Sequence, residues 1–433
     1  MMTQKFKTYI LLLLAIGAAK TSFGQATIYP APDQQGTITI QAATLHIGNG
    51  TVIENGSISF EKGRITYVGP QAPESNGKVI DAKGKHVYPG FIAPITNLGL
   101  AEVEAVRATL DYAEVGDLNA HVRALIAYNT DSKVINTVRS NGVLLAQVTP
   151  QGGLISGQSS VVQLDAWNWE DAAYQADDGM HIRWPEARSS RFVRNGENEQ
   201  ERVATQVALI ESFIAQARAY TGDEKNQVMN ARFKGFEGVF NQSTKIYLHA
   251  NSAEAIVSGV NSLKKQGLAP ILVGGAEAHL VMNFLKDNAV PVIIQQSHRL
   301  PSQEGDDVYL PYKQAKMLVD AGILVAYSVD GYWQQRNLPF MAGTAAGYGL
   351  SREQALSTIT LNAAKIMGID GKTGSLELGK DANLFISTGD ALDMRGNNVE
   401  QAFISGREID TDNLHKQLFE RYQHKYSSES SGK

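Results

Sequence analysis

The sequence predicts an α/β protein: an eight-stranded (β/α)8 barrel of the TIM type beside a small β-sandwich built from both ends of the chain. Three observations predict it. An early stretch alternates apolar and polar residues with period two, broken by Asn-Gly and Lys-Gly pairs. A long middle alternates short apolar runs with helical stretches, the pattern of parallel strands and crossover helices. Further short apolar runs near the C-terminus offer strands that the opening meander needs. The 433 residues, 43% of them hydrophobic, suffice for a large core or two domains.

In chain order, residues 1–24 read as a secretory signal. Lys5 and Lys7 precede an apolar run from Tyr9 to Ala19, and Ser22-Phe23-Gly24 supplies small residues at cleavage spacing. The run falls short of the about 20 residues that span a bilayer, and an uncleaved anchor ranks lower. Cleavage after Gly24 leaves an exported chain, periplasmic or extracellular, with no later segment apolar enough to cross a membrane.

Residues 25–86 form the first part of the sandwich. Thr37–Ile40, Ala43–Ile47, Ser57–Phe60 and Ile65–Val68 are short antiparallel strands with one apolar face. Asn49-Gly50, Asn55-Gly56 and Lys62-Gly63 lie between them, where turns of positive φ take Gly or Asn. A lone meander cannot close a core. Ala382–Ile386, Gln401–Ser405 and Arg407–Ile409, within residues 371–412, supply its partners.

Residues 87–370 form the barrel. Strand-like runs are Val143–Val148, Ser160–Leu164, Lys245–Leu248, Pro270–Val273, Val290–Ile294 and Ile323–Tyr327. Asn198–Thr221 sets Val203, Val207, Ile210, Ile214 and Ala217 on one helical face. Ser351–Met367 opens with a capping box, Ser351 and Gln354. A doubly wound open sheet is the runner-up, but Gly274-Gly275-Ala276-Glu277-Ala278-His279 lacks the dinucleotide spacing. Residues 413–433 form a helix and a Ser-rich tail, disordered from Tyr426.

Composition removes whole classes of function. A net charge of −5 with both signs mixed leaves no basic footprint for nucleic acid or anionic membrane. The absence of cysteine excludes disulfides, thiolate metal sites and thiol nucleophiles.

Several motifs together resemble the amidohydrolase superfamily, in its imidazolonepropionase-like and dipeptidase-like branch. Val87-Tyr88-Pro89-Gly90-Phe91-Ile92 looks like the first barrel strand. Arg336–Phe340, Ala342–Ala345 and Leu361–Gly368 look like the last barrel segment. Gly374-Ser375-Leu376-Glu377-Leu378-Gly379-Lys380-Asp381-Ala382-Asn383-Leu384 looks like the return to the sandwich. The resemblance covers nearly the whole mature chain and implies the barrel-plus-sandwich fold. It also implies metal ligands at the C-terminal ends of the strands, where a metal lowers the pKa of water and polarises a carbonyl.

The family's ligands are a His-x-His on the first strand, a Lys or Glu on the fourth, a His on the fifth and sixth, and an Asp on the eighth. Here the first strand carries Ile95 and Asn97, and the sixth carries Gly274. The resemblance implies that His249 is the fifth-strand ligand and that Asp330 is both ligand and proton acceptor. His181 aligns at or near the fourth-strand position. Two ligands do not hold zinc, since a catalytic site uses three protein groups and a water.

His181, His249, His298 and Asp330 each sit at or just after a strand end, so they could converge on a mononuclear site. The plainer reading is preferred: His249 and Asp330 are inherited polar groups that hydrogen-bond each other, and His181 and His298 are ordinary loop residues. Asn97, Gly274 and Trp333 are candidate substrate contacts, and Trp167, Trp169 and Trp184 lie near loops. Gly153–Ser160 reads as a loop at the barrel mouth. The cofactor expected is one divalent metal, zinc by preference, or none. Two functions follow. One is an exported hydrolase of C–N bonds in amides, cyclic amides or short peptides, with an incomplete or altered metal site. The other is an inactive relative that binds a small molecule or pairs with an active homologue. Self-association or pairing with a related amidohydrolase is expected by resemblance.

Overall fold

Lys62 and Gly63 both take positive φ, 50° and 78°, and make the two-residue turn that the Lys-Gly pair predicts. The turn joins β2 (Val52–Glu61) to β3 (Arg64–Gly69), and β2 runs antiparallel to β1 (Ile38–His46). The computed structural model describes residues 29–71, 76–187, 198–221, 228–301 and 305–430, so the expected signal over 1–24 lies outside the described residues. Asn55-Gly56, expected as a turn, sits inside β2. Asn55 has φ 50°, and Gly56 faces Ala43 beside the irregularity in β1 at Ala42, φ 61°. The two predicted strands Thr37–Ile40 and Ala43–Ile47 are thus one bulged strand. Past that bulge β1 changes parallel partner, from β4 (Lys78–Asp81) to β5 (His86–Pro89).

The barrel sheet follows: β6 (Phe91–Thr96), β7 (Val143–Val148), β8 (Ile155–Gln163), β9 (Ala173–Arg183), β10 (Lys245–Ala250), β11 (Pro270–Gly274), β12 (Val292–Gln295) and β13 (Val325–Ser328). These eight strands pair in sequence order and curl into a nearly closed barrel. Across the gap, Ser328 Oγ donates to the Pro94 carbonyl at 2.7 Å. One strand departs from a regular (β/α)8 pattern: β8 is antiparallel to both β7 and β9. Its first residues are the Gly- and Ser-rich stretch expected to be a mouth loop.

Alternation along the strands sends Ile92, Ile95, Leu145, Val161, Tyr247, Ile271, Val273, Ile293 and Ala326 into one interior cluster. Outside, the helix Ala253–Lys265 starts at Ser252, whose Oγ accepts from Ala255 N, and it buries Ile256, Val260 and Leu263. Each such side chain contributes roughly 1.5–3 kcal/mol. The helix Glu199–Thr221 buries Ile210, Ile214 and Ala217 as its spacing predicts. The capping box of Ser351 and Gln354 is formed, but the predicted single helix breaks into Arg352–Thr358 and Leu361–Met367. Thr360 Oγ1 turns back to the Leu356 carbonyl at the break.

The chain then returns through β14 (Leu384–Ser387), β15 (Val399–Ile404) and β16 (Arg407–Ile409). Antiparallel pairing of β14 with β5 joins both ends of the chain in one eight-stranded sheet, a separate domain around Ile40, Leu45, Ile58, Phe60, Leu384 and Phe403. A helix, Leu414–Ser430, ends the description, so Tyr426–Ser430 are helical where a disordered tail is expected.

Candidate active site at the barrel mouth

The seven parallel strands of the barrel point their C-terminal ends to one mouth, and β8 brings its N-terminal end there. On β9 the inward positions are His181 and, two residues on, Arg183. On β10 they are Tyr247 and His249, and His249 pairs in register with Arg183. Two of the expected residues therefore meet: His181 Nδ1 and His249 Nε2 lie 2.9 Å apart, one the donor and one the acceptor. The His181 ring stacks on Tyr247, with centroids 4.8 Å apart and planes 4° from parallel. His181 is fully buried and its Nε2 has no partner. Burial, with Arg183 nearby, pushes its pKa down to about 3. Burial also holds half-buried His249 well below the usual histidine range, with His181 and Arg183 adding to the effect. Both rings are neutral near pH 7.

Asp330 follows β13 and is exposed. Its Oδ1 accepts from Gln295 Nε2 at 3.2 Å, and its backbone N–H donates to Gln296 Oε1 at 3.2 Å. Arg183 is half-buried; its Nε is buried without a partner, and its guanidinium makes no hydrogen bond or ion pair among the described residues. Desolvation lowers its pKa, while the charge of Asp330 pulls the other way. Sequence reasoning missed Arg183 and the two glutamines. The available signal was the period of two, which puts residue 183 on the face of His181.

Asn97, just past β6, is 8% exposed and its Oδ1 is buried with no partner. Ile95 takes φ 54°, a left-handed conformation unusual for a β-branched residue. It is pinned there by Gln147 Oε1, which accepts from Ile95 N, and by Ser328 Oγ, 3.2 Å from the Ile95 carbonyl. Gly274 has φ 96°, and a Cβ there would come 2.6 Å from Asn251 Oδ1. The remaining candidates lie apart. His298 Nε2 is 2.7 Å from Thr344 Oγ1 and lines a separate cleft of about 500 Å³ with Asn337, Phe340 and Arg352. Trp333 packs near His415, ring centroids 5.8 Å apart, with the Arg336 guanidinium over it.

Deeper in the barrel, Asp178 accepts from Gln147 Nε2 at 2.6 Å, Ser159 Oγ at 2.8 Å and Tyr247 OH at 3.3 Å. Burial nevertheless raises its pKa to about 6.

The metal that the family resemblance implies does not fit this donor set. Ile95 offers no donor, Gly274 has no room for one, and His181 and His249 spend a nitrogen each on one another. His298 faces Thr344, and no three His, Asp or Glu side chains among the described residues are grouped to hold an ion. A catalytic zinc uses three protein ligands and an open position.

The "Amidohydrolase family" model matches residues 312–409. An imidazolonepropionase from Symbiobacterium thermophilum is 25% identical over 375 residues, 78% of this chain and 85% of that protein. One from Geobacillus kaustophilus is 26% identical over 378 residues, covering 77% and 84%. The crystal structure of an amidohydrolase from Thermotoga maritima MSB8 superposes with a TM-score of 0.75 at 22% identity, covering 86% of this chain and 99% of that one. In sequence the chain is thus similar to amidohydrolases, and it shares the fold of the solved one. Over about three quarters of its length the chain is similar to imidazolonepropionases.

Proposed function

We propose that the protein is an exported hydrolase of C–N bonds in amides, cyclic amides or short peptides, working with an altered site in place of the family's metal set. One observation carries this reading: Asp330, a carboxylate positioned by Gln295 and Gln296, faces the same mouth as neutral His249. Asp330 takes a proton from water, whose oxygen attacks the carbonyl carbon. In the tautomer where His181 Nδ1–H donates to His249 Nε2, His249 Nδ1–H polarises the carbonyl oxygen. As the C–N bond breaks, the proton on Asp330 passes to the leaving nitrogen. Export rests on the leader of residues 1–24; no helix among the described residues is long and apolar enough to cross a membrane.

A second reading rests on the mutual His181–His249 hydrogen bond, which leaves neither ring fully available for a ligand. Here the protein binds an amide or short peptide without turnover, or pairs with an active homologue. Mass-spectrometric metal analysis of the full exported protein, with turnover assays on dipeptides and cyclic amides, separates the two. The hydrolase reading expects turnover that Asp330→Asn abolishes, with metal below about a tenth of an equivalent. No turnover, with or without added zinc, transfers the protein to the second reading.

A further inference from the structure

The end of the barrel opposite the mouth holds a cavity of its own, where β10, β11, β12 and β13 begin. Its volume of about 420 Å³ is that of a small-molecule site. The walls are apolar: Leu268, Ile271 and Leu324 line them, and Pro270 and Pro291 bring no N–H to the strand starts. No lining residue is acidic, and two are lysines, Lys245 and Lys365.

Lys245 opens β10 two residues before the inward-facing Tyr247, so it points into the barrel and is half-buried. Asp178 feels its charge, but that carboxylate is bonded to Gln147, Ser159 and Tyr247. Lys245 itself makes no hydrogen bond or ion pair among the described residues. A Cβ at Gly368 would stand 2.8 Å from Lys245 Cε and 3.3 Å from its Nζ, so the ammonium lies at the end of the helix Leu361–Met367. Lys365 sits in the last turn of that helix, exposed and equally without a partner among the described residues. The end of a helix attracts one cation modestly, whereas two ammonium groups there repel each other unless an anion joins them.

We propose that this cavity binds a carboxylate with a hydrocarbon body, of the fatty-acid class. The head sits between Lys245 and Lys365, and the chain lies along the apolar wall. Two ammonium groups match the two oxygens of one carboxylate. A phosphate would press its remaining oxygens against apolar side chains, which favours the carboxylate. The site stands independently of the chemistry at the mouth.

The test titrates the full exported protein with decanoate, kept below the concentration at which it self-associates, and follows heat and the thermal midpoint. Decanol is the neutral analogue and inorganic phosphate the bare anion. Decanoate is expected to bind at one equivalent and at least about tenfold tighter than decanol. Ala269→Trp, at an exposed lining residue, should fill the cavity and abolish binding with both lysines in place. Lys245→Met and Lys365→Gln should each weaken decanoate at least about threefold and leave decanol unchanged. Lys365→Gln, on the surface, carries the test if Lys245→Met does not fold. No binding of decanoate, equal binding of decanol, tighter binding of phosphate, or decanoate binding that survives Ala269→Trp or Lys365→Gln unchanged would each overturn the proposal.

Discussion

His181 Nδ1 and His249 Nε2 are each other's hydrogen-bond partners at 2.9 Å, across the two strands that hold the centre of the barrel mouth. The pair makes each ring costly to remove alone. His249→Ala leaves His181 buried with both nitrogens unbonded, and should cost about 1–3 kcal/mol in urea unfolding. The double variant His181→Phe with His249→Leu keeps the ring against Tyr247 and buries no orphan, so it should cost less than the single one. A double variant less stable than His249→Ala would show that the hydrogen bond is not what the mouth is built around.

Reinstalling the family's histidines should fail for a backbone reason. Gly274 stands in the left-handed region at φ 96°, and a Cβ there meets Asn251 Oδ1 at 2.6 Å. A side chain at Gly274 alone should cost about 1–2 kcal/mol from its dihedral. The triple variant Ile95→His, Asn97→His, Gly274→His should therefore melt lower and retain less than one equivalent of zinc after dialysis. Stoichiometric zinc with an unchanged melting temperature would contradict this.

The strands were legible because apolar runs bounded by Gly or Pro have few other solutions: Val143–Val148 forms over the residues expected. The direction of β8 was not, because Gly153–Ser160 hides a strand among small polar residues and alternation carries no sign of parallel or antiparallel pairing. His249 and Asp330 were traceable to the mouth because parallel strands share it. His298 does not join His181 and His249: Gln296 turns through φ 59° after β12, and the chain then leads His298 to Thr344. Arg183 escaped notice because an arginine at the end of a buried strand usually reaches water, and only the fold shows that this one is partly enclosed.

Asp178 predicts a pH dependence of stability. Its folded pKa is about 6 against an ordinary 3.8, so the native state holds this proton more tightly than the unfolded chain. Its contribution is full below pH 3.8 and is lost as pH rises through 6, on the order of 3 kcal/mol in all. Asp178→Asn keeps acceptors for Gln147 and Tyr247 and an N–H for Ser159, without the charge. Urea midpoints from pH 4 to 7 should therefore diverge in favour of the variant as pH rises. A constant difference between the two proteins would place the titration elsewhere.

The last prediction concerns the joint between the domains. Asp165 Oδ1 accepts from Arg139 Nη1 at 2.7 Å, and Oδ2 accepts from Arg407 Nη1 at 2.9 Å and from the Ala31 N–H at 2.9 Å. Arg139 comes from the helix leading into the barrel strand β7, and Arg407 from β16 of the other sheet, so one carboxylate ties both. The side chains of Asp165 and Arg139 are 3% and 4% exposed, which leaves no water to replace a lost partner. Asp165→Asn should thus strand a buried guanidinium and cost about 3–5 kcal/mol. Lys78 and Glu408, 49% and 39% exposed, are the contrasting pair, and Lys78→Ala should cost less than about 1 kcal/mol. Guanidinium chloride unfolding of both variants checks the contrast. Equal effects would mean that the joint depends on packing around Asp165 rather than on its charge.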